Sequence, residues 1–192
     1  KAVAVLDAHG IRGGHDHRAL HLPHALVGLL GCLFIRILAK ANVVQEIEED
    51  IDVSTLDYLS TKQYNTIFNL VNKQGVDVTN VDSVYFVDTR RTKPGSAENI
   101  ALFKGTDNNV IKAWTNGNNL YIGSKGTTYP GPSMYYAFYN MRNLNVLDMN
   151  NVNTSKVTYM SNMFTNTGKS STVFTLNLGN EFNTSNVTNM SN

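Results

Sequence analysis

Seven residues near the start of the chain carry side chains suited to holding a divalent metal: Asp7, His9, His15, Asp16, His17, His21 and His24. They include a His-x-His pair, and imidazole with carboxylate is the ligand chemistry of a metal-dependent hydrolase. Such an enzyme spreads its ligands over several strands, yet no histidine follows His24. Residues 1–41 are too few to build that scaffold, so hydrolysis stands as a remote alternative. Gly168-Lys169-Ser170 has the ending of a phosphate-binding loop, but the glycine required five positions earlier is Met163. No Ser/His/Asp or Cys/His set can be assembled, because every histidine lies before residue 25. The expectation is a protein that is not an enzyme, with no catalytic, cofactor-binding or metal-ligating residues.

The chain has 192 residues, 42% hydrophobic and 16% charged, which suits one or two folded domains. A net charge of +1 without clustered Lys or Arg gives no electrostatic reason to expect nucleic acid. Cys32 is a lone cysteine, so stability must come from packing and not from internal disulfides.

Composition breaks near residue 42. Before it lie all five histidines; no Asn precedes Asn42, and no Ser or Thr precedes Ser54. Three readings of residues 1–41 stay open. Arg12 and Arg18, the apolar run 25–35 and Ala39-Lys40-Ala41 follow the order of a secretory leader, although Arg36 interrupts it. Leu29-Leu30-Gly31-Cys32 resembles a lipidation box. The segment also reads as an unrelated fusion or an artefact. Its apolar run is shorter than the roughly 20 residues of a spanning helix, so no stable transmembrane helix is expected, and membrane association would come through a leader or lipid anchor.

From residue 42 the pattern becomes that of a folded chain. Glu46, Glu48, Glu49, Asp50 and Asp52 form an acidic linker or solvated face. Ser60-Thr61-Lys62-Gln63 has capping-box order, and Tyr64, Ile67, Phe68 and Val71 recur at helical spacing before Gly75. These predict an amphipathic helix over 61–74. Residues 83–87 predict a strand, 89–96 a loop, and 110–114 with 120–122 a β-hairpin turning at Asn116-Gly117. Trp114 is expected in the core rather than as a ligand-stacking ring.

The strongest signal is self-similarity. Asn153-Thr154-Ser155-Lys156-Val157-Thr158-Tyr159-Met160-Ser161-Asn162 recurs from Asn183 to Asn192 with eight of ten positions identical at an offset of 30. Met134 and Phe138 match Met160 and Phe164 at an offset of 26. Leu144, Leu147, Met149, Val152, Val157, Met160 and Phe164 would point inward and stack on their counterparts, since no single unit can bury that face. Met134, Met160, Met163 and Met190 are therefore expected as core residues and not as a soft-metal face. Asn153, Asn183, Asn186 and Asn189 begin Asn-x-Ser/Thr triplets and are expected to serve as turn residues. Residues 165–172 lengthen one unit and should bulge as a loop.

Thr154-Ser155-Lys156-Val157-Thr158-Tyr159-Met160-Ser161-Asn162-Met163-Phe164 resembles the repeat of BspA-like leucine-rich-repeat bacterial surface proteins, of the type found in mycoplasma lipoproteins and firmicute surface proteins. The resemblance extends over residues 83–192, taking in the hairpin. It implies an α+β fold: a leucine-rich-repeat-like solenoid of short strands and short helical returns, preceded by a small α/β cap. The expected organisation is a leader (1–41), an acidic linker and helix (42–82), a β-rich cap (83–132) and a truncated solenoid (133–192). The implied function is a cell-surface or secreted protein that adheres to a host protein, matrix component or glycan. The alternative is a stalk displaying a further effector domain.

Overall fold

The computed structural model describes residues 51–60 and 63–191, and these lie within one compact unit, Val44–Asn192. Its frame is a mixed sheet of β1 (Ser83–Asp88), β2 (Ala101–Lys104), β3 (Val110–Asn116), β4 (Asn119–Ser124), β5 (Val146–Asp148) and β6 (Thr175–Asn177), in the order β2-β3-β4-β1-β5-β6. β2, β3 and β4 pair antiparallel, whereas β4, β1, β5 and β6 run parallel. β3 and β4 form the expected hairpin, with the turn one residue later than the Asn-Gly signal: Asn116 pairs with Asn119, and Gly117 supplies the left-handed conformation at φ +57°.

One α-helix occurs among the described residues, α1 (Ile67–Lys73), and it is shorter than the periodicity predicts. The effective cap is Thr66, whose hydroxyl accepts from the Asn69 N–H at 3.2 Å. Tyr64 thus falls outside the helix and is 75% exposed, while Ile67 and Val71 are buried. The Ile67 N–H donates to the Ala137 carbonyl at 2.9 Å, so the helix start is fixed to the first repeat.

The sequence reading missed β2, which would be an open sheet edge had its backbone not been covered. Gln74 does this in part: its amide accepts from the Leu102 N–H at 2.9 Å and donates to the Leu102 carbonyl at 3.0 Å. Asp57 adds a carbonyl to the Lys104 N–H.

Beyond β4 the chain coils back on itself in register. Val84, Leu147 and Leu176 pair in a row across β1, β5 and β6. Ser133, Tyr159 and Asn189 form a second row of parallel bridges. Phe138 and Phe164 stack with centroids 5.8 Å apart and planes 5° from parallel. The returns in residues 133–191 are successions of turns, where short helices are expected from the repeat pattern. Left-handed positions explain why: Tyr136, Asn140, Asn162 and Asn166 all have φ near +60°, which breaks a helical run. Residues 165–172 do lengthen the unit, but they are tied down more than a free bulge would be. Thr167 Oγ1 donates to the Phe138 carbonyl and Ser171 Oγ to the Leu144 carbonyl, both at 2.8 Å. Gly168 (φ +64°) lies so close to Phe174 that a Cβ there would come within 2.3 Å of the ring.

Polar side chains close the backbone groups that this tight coiling leaves open. Asn153, Asn183 and Asn189 each accept with Oδ1 from the N–H two residues on, at 2.9, 2.8 and 3.1 Å. Asn186 and Thr188 reach across to the carbonyls of Ser155 and Thr158. The triplet asparagines are turn and inter-layer residues.

Candidate functional site: a tyrosine-lined cleft

Stacking at an offset of 26 places Tyr135, Tyr136 and Tyr139 over Ser161, Asn162 and Thr165. The backbone confirms the register: the N–H groups of Tyr136, Phe138 and Asn140 donate to the carbonyls of Ser161, Met163 and Thr165 at 3.3, 3.0 and 2.9 Å. At positions where the next unit carries small polar groups, the first unit therefore carries three tyrosines. Two more complete the group, Tyr64 from the segment before α1 and Tyr159 from the second unit.

The rings meet largely edge to face. Tyr64 lies 5.2 Å from Tyr135 and 5.1 Å from Tyr136, centroid to centroid. Tyr136 is 4.4 Å from both Tyr135 and Tyr139, and Tyr135 is 5.4 Å from Tyr159. These are the arrangements the ring quadrupole favours. Hydrogen bonding to Tyr64 and Tyr136, with some burial, pushes the Tyr135 phenol well above its ordinary pKa, so the group is uncharged throughout the physiological range.

Tyr136 also breaks a local rule. Its φ is +59°, a conformation that costs an ordinary side chain about 1 kcal/mol or more, and the stacked equivalent is Asn162, of the residue type that tolerates it. Tyr64, Thr66, Asn69, Tyr136, Tyr139 and Asn140 line an open cleft of about 470 Å³, together with Phe68 and Met141. That volume falls within the roughly 300–1,000 Å³ of small-ligand sites.

A second aromatic row crosses the sheet. Trp114, Tyr121 and Tyr85 lie on neighbouring strands with centroids 5.6 Å apart and planes within 17° and 24°. Strand alternation puts them on the face opposite Ala113, Ile122 and Phe86. Trp114 is 2% exposed, packed beside the 92–99 loop, and so is buried without belonging to the main core.

Asp7, Asp16, the five histidines and Cys32 lie outside the described residues, and among those described no cluster of three or more His, Cys, Asp or Glu is placed to hold a metal. No helix of the described residues is long and apolar enough to cross a membrane. Met134, Met160 and Met163 are buried, while Met190 is 57% exposed. The tyrosine group was missed, although the offset of 26 that reveals it was already given by Met134 and Phe138.

The family model described as "Mycoplasma protein of unknown function, DUF285" matches residues 132–192. This stretch is the stacked-turn part of the fold, and it begins just before the tyrosines. No curated protein matches the chain, and no solved structure does.

Proposed function

We propose that the protein is a non-catalytic binding module of the bacterial cell surface or exterior, and that its stacked turns form a leucine-rich-repeat-like solenoid of the BspA-like kind. The similarity of residues 132–192 to a mycoplasma family supports the surface assignment. The observation that carries the binding role is the replacement of Ser161, Asn162 and Thr165 by Tyr135, Tyr136 and Tyr139 in the first unit. Rings that serve only to bury area would point into the core, as Phe138 does; Tyr136 and Tyr139 instead line a cleft open to solvent, and Tyr135 packs edge-on against Tyr136 behind it. Rigid amphipathic tyrosines beside adaptable amides make binding surfaces at low entropic cost.

The partner is a host protein, matrix component or glycan. Retention of such a partner from host extract by the intact gene product, lost on Tyr64→Ala, is the expected result. Failure to retain any of several matrix proteins and glycans would sink the adhesive reading.

A further inference from the structure

We propose that the tyrosine-lined cleft takes a neutral pyranose unit of an oligosaccharide, an assignment that rests on the binding-module reading above. The choice of ligand class follows from three features of the cleft.

First, among the described residues no Asp, Glu, Lys or Arg lines it. A phosphate, nucleotide, acidic peptide or cationic headgroup would be recognised by charge at such a site, and here recognition must work through ring faces and uncharged polar groups. Arg142 comes near the rim, where its Nε donates to Asn140 Oδ1 at 3.3 Å.

Second, the polar groups are amides with donors to spare. Asn140 Oδ1 accepts from Arg142 and from Asn166 Nδ2, both at 3.3 Å, which leaves the Asn140 amide N–H groups for a ligand. Asn69 lies at the end of the Thr66 cap, where its backbone N–H is used and its side chain is exposed. A pyranose carries C–H groups on its face and hydroxyls around its edge. The C–H face packs on the negative face of a tyrosine ring, and the hydroxyl edge exchanges hydrogen bonds with amides and phenols.

Third, the surroundings do not suit a protein footprint. A stable protein interface covers about 800 Å² on each side around buried apolar anchors. Of the exposed large hydrophobic residues, Tyr64 alone lines this cleft; Ile100, Val173, Leu176 and Met190 do not. A small concave site with rings on its walls and no apolar apron fits one or two sugar units of a chain. The strained Tyr136 has the same explanation, because a side chain held in a costly conformation is retained where it positions a contact.

The test is titration of the full chain with cellotriose, chitotriose and a heparin tetrasaccharide, followed by calorimetry or ligand-observed NMR. The expected result is saturable binding of a neutral trisaccharide, weakened about tenfold in Tyr64→Ala and in Tyr139→Ala, which corresponds to about 1.4 kcal/mol for one lost ring contact. Tyr139→Phe, which keeps the ring, should retain most of the affinity, and Tyr85→Ala, outside the cleft, should match the parent. Tyr64 is largely exposed, so its removal leaves the fold intact and a loss there reports the site. Equal binding by Tyr64→Ala and the parent would overturn the location. Binding of heparin alone would overturn the neutral class. If no saccharide binds but a matrix protein is retained through Tyr64 and Tyr139, the sugar assignment fails while the binding-module reading survives.

Discussion

The first and last layers of the stack share a repeat pattern and differ in what covers them. Met134, Met160 and Met190 occupy the same position in successive units, and their exposures are 0%, 4% and 57%. Leu147 is fully buried where its neighbour in the next strand, Leu176, is 40% exposed. The side chains scarcely change; the neighbours do. Burial in such an array is thus a property of the interface between units and not of the unit, which makes stability a sum of layer contacts.

The comparison breaks most visibly where two layers share one ring pair. Phe138 is fully buried, stacked on Phe164 and edge-on to Phe86 at 6.3 Å. Phe138→Ala should cost about 3–5 kcal/mol in urea unfolding, the usual range for a buried ring. Met160→Ala should follow at about 2–5 kcal/mol, whereas Met190→Ala, half exposed with little packing to lose, should cost less than about 1 kcal/mol. Equal costs for the two methionines would refute the layered account. Hydrogen exchange should report the same gradient, with amides of residues 183–191 opening before those of 133–141.

Acid separates the regions in another way. The turns at Asn153–Ser155 and Asn183–Ser185 are held by uncharged amides. At the junction of β1 with the stack the holder is a carboxylate: Asp88 accepts from the Arg90 guanidinium at 2.7 Å and from the Gly126 N–H at 3.0 Å. The Arg90 hydrogen bond, helped by Gly126, holds the Asp88 carboxyl well below the usual carboxylate pKa. The unfolded chain therefore takes up this proton first, near pH 4, so Asp88 contributes stability above that pH and loses it as pH falls toward its folded value. The urea midpoint should drop below about pH 4, and Asp88→Asn should be less stable at pH 7 with a flatter acid limb.

How much of this was legible beforehand depends on the range of the cause. The inward set Leu144, Leu147, Met149, Val152, Val157 and Met160 could be read from spacing, since repeat periodicity and burial have one origin. β1 and the hairpin followed from β-branched runs and a glycine turn. β2 was not legible: four residues long, it is held by Gln74 and Asp57 from far along the chain. The start of α1 was misread because Ser60 and Thr66 both carry capping chemistry, and the choice of Thr66 goes with the Ile67 bond to Ala137. The tyrosine cleft needed two facts together, the repeat offset and the position of Tyr64, and only the first lay in the sequence.

The smallest effect expected is also the most discriminating between the layers. Tyr136 and Asn162 are stacked equivalents with φ of +59° and +56°. Replacing Tyr136 by Asn relieves about 1 kcal/mol of backbone strain, since Asn tolerates this conformation best after glycine. The same change removes edge-to-face contacts worth about 0.5–1.5 kcal/mol, and on a partly exposed ring they fall toward the lower end. The two terms oppose, so Tyr136→Asn should shift stability by less than about 1 kcal/mol in either direction. The reverse exchange, Asn162→Tyr, gains strain and forfeits the turn amide that Thr165 reaches through its hydroxyl at 3.3 Å, so it should destabilise by about 1 kcal/mol or more. Urea unfolding of both variants decides the matter. If Tyr136→Asn instead costs more than about 2 kcal/mol, the ring is a keystone of the first layer; if stability holds and ligand binding is lost, the first unit traded a relaxed backbone for a binding surface.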